Sequence, residues 1–198
     1  MRFSAETFVK PIEVEGEPTL CSENGWEYAA GPLALPKGCV LTIDTQDPDT
    51  AAGYDCTFAS EISGSGSLKV TGAGSLRLTA ENSIAGGVTL DGGRLSYSKR
   101  QNFASLSGSG VLKANPDAGE MPVLNISGNA DFTNIRFDCG ALSESAGKGW
   151  ITLAEASAVS RALPKLSSDR WKVRVSTGAD GVKLLQVRRR TGIGIIVK

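Results

Sequence analysis

The sequence contains no histidine. This absence excludes Ser-His-Asp triads, Cys-His dyads, histidine general bases and histidine-ligated zinc. No apolar run approaches the ~20 residues that a membrane-spanning helix needs, so no membrane span is expected. The N-terminus lacks the apolar core of a secretory signal peptide. We therefore expect either a protein that stays inside the cell or a fragment of a longer secreted chain that begins at Met1.

Cysteine is scarce and irregularly spaced. The four residues lie at Cys21, Cys39, Cys56 and Cys139, and none forms the C-x-x-C spacing of zinc or thioredoxin-like motifs. Four cysteines are too few to indicate a disulfide-stabilised scaffold in a chain of this length. We expect Cys56 and Cys139 to lie nearly four coils apart, and any disulfide to join Cys21 to Cys39 instead.

What is abundant is glycine, at 24 of 198 residues, with 40% hydrophobic and 21% charged residues. This composition is that of a folded chain of one domain, with more glycine than the usual ~7%. The net charge is zero, but its distribution is uneven. Residues 1–60 carry ten acids against three Lys or Arg, and residues 161–198 carry ten Lys or Arg against two acids. Ends of opposite charge predict solvated termini, an anion-binding tail, or self-association between the acidic N-terminal and basic C-terminal ends.

The middle of the chain repeats itself. The segment 63–70, SGSGSLKV, returns at 107–114 as SGSGVLKA, an offset that divides into two coils of about 22 residues. Short strands with tight alternation recur there, with apolar pairs such as Leu68/Val70 and polar residues such as Lys69 between them. Coils this small cannot bury a core alone, so the pattern predicts a stacked parallel β-solenoid rather than a β-sandwich. We expect Leu68, Leu90, Leu112 and Ile135 to form one interior column.

Glycines stand between these strands at regular places, and they predict sharp corners rather than phosphate-binding loops. Residues 63–98 resemble the autotransporter-associated β-strand repeat in their spacing of Gly-x-Gly, leucine, asparagine and Gly-Gly elements. The matching residues are Gly64, Gly66, Leu68, Gly72, Gly74, Leu76, Leu78, Asn82, Gly86, Gly87, Thr89, Gly92, Gly93 and Leu95. Ser83-Ile84 departs from the Thr-Tyr that the family often carries. Residues 107–138 resemble the repeat more loosely.

The resemblance implies an all-β fold, a right-handed parallel β-helix with capping N- and C-terminal segments. It also implies a passenger domain of a bacterial surface or secreted protein. We therefore favour an extracellular or cell-surface location and a chain that is a fragment without its signal peptide.

We expect three parts: lead-in or cap strands over 1–55, regular coils over 56–140, and a C-terminal cap over 141–198. Within the lead-in, 26–28 and 40–43 are expected to be strands. Within the cap, we expect a short helix near 153–163 and a final hairpin around 177–181.

Three groups of residues are candidate sites. The loop containing Asp44, Asp47 and Asp49 has the oxygen ligands that Ca²⁺ prefers, although Asp-Pro-Asp is also ordinary turn chemistry. Trp26 and Tyr28 share a strand face, where they either stack on a sugar or close the end of a core. The group Arg188, Arg189 and Arg190 either grips an anionic ligand or protects an edge strand from pairing.

The leading functional hypothesis is a non-catalytic structural or adhesive module that presents side chains on a stiff rod to a glycan or protein surface. No catalytic residues, no cofactor and no nucleic-acid partner are expected. The alternatives are a carbohydrate-active β-helix enzyme or its degenerate remnant, and a trimeric fibre or spike component. The enzyme is disfavoured because the coil acids, including Asp91, Asp117 and Asp138, fall out of register if every coil has the same length.

Overall fold

A computed structural model of the chain describes residues 2–3, 7–8, 12–22, 25–116, 120–142, 149–160 and 162–190. All regular structure in these residues is β-strand. The strands are β1 (Arg2–Phe3), β2 (Thr7–Phe8), β3 (Thr19–Ser22), β4 (Trp26–Tyr28), β5 (Leu33–Leu35), β6 (Val40–Asp44), β7 (Asp55–Phe58), β8 (Ile62–Gly64), β9 (Ser67–Thr71), β10 (Ser75–Leu78), β11 (Asn82–Ile84), β12 (Val88–Tyr97), β13 (Gln101–Phe103), β14 (Leu106–Ala114), β15 (Leu124–Ala130), β16 (Asn134–Asp138), β17 (Ile151–Val159), β18 (Lys165–Leu166), β19 (Trp171–Thr177) and β20 (Lys183–Arg189).

The strands stack into three parallel faces, which makes the fold a parallel β-helix, as the sequence predicts. Face A consists of β1, β3, β6, β9, the first halves of β12 and β14, and the ends of β15 and β17. Face B consists of β2, β4, β7, β10, the second halves of β12 and β14, and then β16 and β18. Face C consists of β5, β8, β11, β13 and the starts of β15 and β17.

The predicted alternation within each strand is confirmed. Leu68, Val70, Leu76 and Leu78 are all buried in one continuous core, and the polar residues between them point outward. The polar position Arg77 is exposed. Short period-2 strands therefore encode which side chains fill the coil interior.

The constant coil length that the repeat predicts is wrong. Leu76 pairs with Leu95, and Leu95 pairs with Leu112, so these two successive coils already differ in length and both are shorter than predicted. Near the N-terminus the coil is longer than predicted, since Trp26 pairs directly with Cys56. The corners differ in length while the strands stay in register.

The predicted interior column is wrong for the same reason. Leu68 pairs with Val88 on face A, whereas Leu112 lies on face B beside Leu95. All members of the predicted column are buried, but they belong to different faces. A fixed coil length therefore predicts correctly which residues are buried, but it predicts incorrectly which residues lie side by side on neighbouring strands.

Glycine is required where one coil crosses closely over the next. Gly108 has φ +100°, and a Cβ there would collide with the backbone oxygen of Leu90. Gly64, with φ +118°, would collide in the same way with the backbone oxygen of Leu35. The Gly-x-Gly segments are thus corners, as predicted.

The interior contains one fully hydrogen-bonded amide pair at the start of face C. Asn82 Nδ2 donates to Gln101 Oε1 at 2.7 Å, and Asn82 Oδ1 accepts from Ile62 N at 2.6 Å. Both amide groups also donate to the backbone oxygen of Ala80, at 3.0 and 2.9 Å. Asn82, the asparagine of the repeat, therefore forms hydrogen bonds with the backbone at this corner from within the core.

The C-terminal part ends the parallel stack with an antiparallel hairpin. The predicted hairpin is present, since β19 pairs with β20 around a turn closed by Gly178 N donating to Val182 O at 2.8 Å. Strand β20 lies antiparallel beside β17 on face C, and its Leu185 and Val187 join the core. The predicted helix near 153–163 is wrong, because most of that segment belongs to β17, which pairs with β15.

The three predicted parts do not correspond to breaks in the stack. Strands of the lead-in, including the predicted β4 and β6, pair in parallel with β7 and β9 of the regular coils. Across the described ranges, no helix is long and apolar enough to cross a membrane.

Candidate functional site

Each face of the β-helix presents its own chemistry to solvent. Face B presents cations, face A presents hydroxyls and carboxylates, and face C presents hydroxyls and amides. On face C, Asn125 Nδ2 donates to Asn102 Oδ1 at 3.0 Å, and Asn102 Nδ2 donates to Asn82 O at 3.3 Å. The outward amides of face C are therefore occupied by one another and by the backbone.

Face B carries one outward cation on each of five successive strands, β10, β12, β14, β16 and β18. We call this set the basic stripe: Arg77, Arg94, Lys113, Arg136 and Lys165. Lys113 is half-buried, and the other four are exposed. Since neighbouring strands are ~4.8 Å apart, the stripe presents about one positive charge per coil.

The stripe zigzags between two outward positions. For the first three members, the residue directly across on the next strand is not a cation. These partners are Ser96 for Arg77, Val111 for Arg94 and Asp138 for Lys113. The offset of two residues places successive Cα atoms about 8 Å apart, which lessens repulsion between like charges. Only Arg136 and Lys165 lie directly opposite each other.

The stripe cations have no ion-pair partner within 4 Å in the described part of the chain. The ion pairs found there join Lys69 to Asp91 and Arg100 to Glu155, away from the stripe. The N-terminal half of the stripe lines a shallow groove of about 330 Å³. Its walls also contain one carboxylate, Asp55, and hydroxyl and amide side chains, namely Thr57, Ser75, Ser96 and Asn115. The groove therefore combines unpaired positive charge with hydrogen-bonding groups.

Acidic residues precede the basic stripe on its N-terminal side. Glu27 and Asp55, on the two preceding strands of face B, are both exposed. Asp138 lies within the stripe's range, but its Oδ1 accepts from Gly140 N at 2.9 Å and from Ser167 Oγ at 3.4 Å. The positive region thus begins at β10 and continues through β18.

Face A brings together two carboxylates that the assumed coil length separated. Asp44 pairs with Thr71, and Thr71 with Asp91, so the acids occupy one outward position about 10 Å apart. Each carboxylate is engaged: Asp44 Oδ1 accepts from Gln46 N at 3.1 Å, and Asp91 Oδ2 lies 2.8 Å from Lys69 Nζ. A lysine therefore lies against Asp91, and a backbone N–H donates to Asp44.

The aspartate loop is built as a turn. Asp47 is largely buried, and its Oδ1 accepts from Asp49 N at 2.7 Å and from Thr50 N at 3.0 Å. Asp44 accepts from Gln46 as described above, and Asp49 is exposed. Among the described residues, no group of three or more acids or cysteines is arranged to hold a metal ion.

Trp26 and Tyr28 lie inside the core. Each ring centroid is 5.2 Å from that of Phe58 on the next coil, and the Trp26 ring meets Phe58 edge-on. The Tyr28 hydroxyl accepts from Ile12 N at 3.3 Å. Of the two interpretations, the structure supports core packing over sugar stacking.

The three consecutive arginines do not form one cluster. Arg188 lies over the Trp150 ring at 4.9 Å, beside Arg174 at 4.0 Å. Arg189 ends β20, and Arg190 follows it. Strand β20 pairs with β17 only as far as Val187, and Arg188 and Arg189 pair with β19, so the edge-strand interpretation of the arginines stays a prediction. The apolar residues that follow, at 193–197, lie outside the described residues.

All four cysteines are among the described residues, and none forms a disulfide. Cys56 and Cys139 are separated by several coils, as expected. Cys56 pairs with Leu76, and the pairing continues strand by strand through Leu95 and Leu112 to Phe137, two residues before Cys139. The expected Cys21–Cys39 bridge is wrong: Cys21 pairs with Asp44, five residues beyond Cys39, or about 16 Å along the chain. Burial and the charge of Asp138 raise the pKa of Cys139 to about 12, and burial raises the pKa of Cys39.

Comparison of the chain with family models, with curated proteins and with solved structures finds no match. The basic stripe is the feature that sequence reasoning missed. Arg77, Arg94 and Arg136 are recognisable from the sequence as outward residues, but only the true register shows that each occupies a successive strand of one face. An outward Lys or Arg after a Gly-x-Gly corner marks Arg77 and Lys113, but the same signal selects Lys69 on face A and misses Arg136 and Lys165.

Proposed function

We propose that this chain is a non-catalytic structural or adhesive module of a bacterial surface or secreted protein. The observation that carries the proposal is the uninterrupted parallel stack, in which each coil repeats the same outward positions. Such a rod displays side chains at ~4.8 Å intervals over a long surface. The resemblance of 63–98 to the autotransporter-associated repeat supports a passenger-type location outside the cell.

The arrangement of acids also favours display over catalysis. Glycoside hydrolysis needs two carboxyl groups ~5–9.5 Å apart with separated proton affinities. On face A, Asp91 Oδ2 lies 2.8 Å from Lys69 Nζ, and Asp131, which lines the same groove, accepts from Thr133 Oγ1 at 2.6 Å. On face B, Asp55 and Asp138 lie four strands apart, whereas Glu27 and Asp55 lie on adjacent strands and are both exposed.

The test is incubation of the chain with pectin, alginate, xylan and mucin glycans, with and without Ca²⁺. We expect no release of reducing ends or unsaturated products above a boiled control. Release that the Asp91→Asn variant abolishes and the neighbouring Thr89→Ala variant retains would contradict the proposal and establish an enzyme on face A.

A further inference from the structure

We propose that the basic stripe on face B binds an acidic polysaccharide whose chain runs along the stack of coils. The inference rests on the proposed display function and names the chemical class of its ligand. The shared chemistry of that class is a linear sugar polymer with repeated carboxylate or sulfate groups.

The charge on face B is regular along the stack. Five successive face-B strands each contribute one outward Lys or Arg, although the loops between these strands differ in length. Because the register keeps these residues on one face, their positive potentials add along the axis. A linear polyanion is the ligand whose charges repeat in the same direction.

None of the stripe cations forms an ion pair with another described residue of the fold. Ion pairs neutralise Lys69 on face A and Arg100 at the start of face C, but no carboxylate within the described ranges lies within 4 Å of a stripe cation. Like charges on neighbouring strands destabilise a sheet. Apart from Lys113, which lies directly opposite Asp138, the stripe cations have no carboxylate opposite them on the neighbouring stripe strands, and they are available to an external anion.

The lining of the groove favours a sugar polymer over a nucleic acid. Single-stranded nucleic acids are held by aromatic side chains on which bases stack, and the residues that line this groove include no aromatic ring. A DNA duplex carries one charge per ~1.7 Å of its axis, a much denser array than one cation per ~4.8 Å. Thr57, Ser75, Ser96 and Asn115 instead offer hydroxyl and amide groups that suit sugar hydroxyls.

The acids beside the stripe fix where the ligand lies. Glu27 on β4 and Asp55 on β7 repel an anionic chain, and Asp55 stands with Thr57 in the N-terminal wall of the groove, whereas β10 to β18 attract the chain. The ligand is therefore expected to contact the stripe and to avoid the N-terminal coils.

The experiment measures binding of the whole chain to heparin, polygalacturonate, neutral dextran and single-stranded polydeoxythymidine by isothermal titration at several salt concentrations. We expect binding to heparin, to polygalacturonate or to both, no binding to dextran, and weaker binding to the oligonucleotide. The response to heparin against polygalacturonate distinguishes sulfate from carboxylate as the recognised group. Affinity for the bound glycan should fall as salt rises.

The decisive variant is the triple substitution Arg77→Gln, Arg94→Gln and Lys113→Gln. It should weaken glycan binding by about tenfold or more and reduce the salt dependence by roughly one counterion per contact removed. The matched control removes the same charge elsewhere through Lys69→Gln, Arg100→Gln and Lys172→Gln. Circular dichroism and the thermal midpoint verify that both variants are folded.

Four results would overturn the proposal. The first is absence of glycan binding at low salt by the folded wild-type chain, and the second is an equal loss in the stripe and control variants. The third is tighter binding to polydeoxythymidine than to the glycans. The fourth is self-association without glycan that only the stripe variant abolishes. Failure of the proposed function appears differently, as cleavage of a glycan in the incubation described above.

Discussion

At the scale of single residues, inward positions hold the fold and outward positions are free to carry chemistry. Leu90 is fully buried on face A between Val70 and Gly108, whereas its neighbour Thr89 is exposed. One step along the strand thus changes a residue from core to surface.

Leu90→Ala tests this alternation. The substitution should lower the free energy of unfolding by ~2–5 kcal/mol because it leaves a cavity in a packed interior. Thr89→Ala, the control on the same strand, should change it by less than ~0.5 kcal/mol. Urea denaturation measures both, and equal effects at the two positions would refute the assigned faces.

Asn82 is the polar residue on which the interior depends most. Asn82→Ala should destabilise the chain by about 2 kcal/mol or more, because the buried Ile62 N–H and the Gln101 amide then lack their partner. Asn102→Ala removes the outward amide and should cost less than half as much. A double-mutant cycle of Asn82→Ala with Gln101→Ala should give a coupling of at least ~0.5 kcal/mol, and additive effects would contradict the described pair.

The cysteines should differ sharply in reactivity. At pH 8 the native chain should react with iodoacetamide at Cys21, which is partly exposed, and hardly at all at Cys139. The thiolate is the reactive form, and a pKa of about 12 keeps the Cys139 thiol protonated until the pH is raised toward that value. Mass spectrometry after brief labelling measures this, with the urea-unfolded chain as control. Labelling of native Cys139 at the unfolded rate would show that its burial is wrong.

At the scale of elements, the corners set the register and the strands follow it. The alternation within strands and the glycine corners could be predicted from the sequence because both depend on neighbouring residues. Coil length could not, since the loops between paired strands vary without affecting the pairing. The short helix expected near 153–163 was mispredicted: alanines there favour a helix, but pairing of Ala154 with Leu124 and of Ala156 with Ile126 makes this part of the chain a strand.

A series of glycine substitutions tests the role of the corners. Gly149→Ala should change stability by less than ~0.5 kcal/mol, because a Cβ there meets nothing and φ is ordinary. Gly92→Ala should cost about 1–2 kcal/mol, because φ +84° strains any side chain although the space is open. Gly108→Ala should cost more than either, since it adds a collision with Leu90. Thermal denaturation measures the series, and a different order would refute the close crossing at Gly108.

At the scale of the whole molecule, stacking turns scattered residues into continuous surfaces. Arg77 and Lys165 are far apart in the sequence but end the same stripe on face B. The fold class was predictable from the short strands and the repeat. The basic stripe was not predictable from the sequence, because aligning its residues requires the correct length of every coil. An error of a few residues in one coil moves a side chain to another face.

The continuity of face B depends on the register that links the lead-in strands to the coils. Glu27, Thr57, Arg77, Ser96 and Lys113 occupy one outward position on successive strands of face B. The first and last are therefore four strand spacings apart, or about 19 Å between Cα atoms. A fixed coil of 22 residues would also bring Lys113 to within two residues of the position of Glu27, but it would displace Thr57 by eight residues, so the pair Thr57–Lys113 distinguishes the two registers.

The most direct measurement is the distance between spin labels introduced through a non-canonical amino acid at Glu27 and Lys113, which leaves the native cysteines unmodified. Pulsed electron resonance should give a single narrow distribution near about 2 nm, after allowance for the label linkers. A second pair, Thr57 with Lys113, should be shorter by one strand spacing, ~5 Å. A broad distribution, or a longer distance for Thr57–Lys113 than for Glu27–Lys113, would contradict the parallel β-helix on which the basic stripe and the proposed function rest.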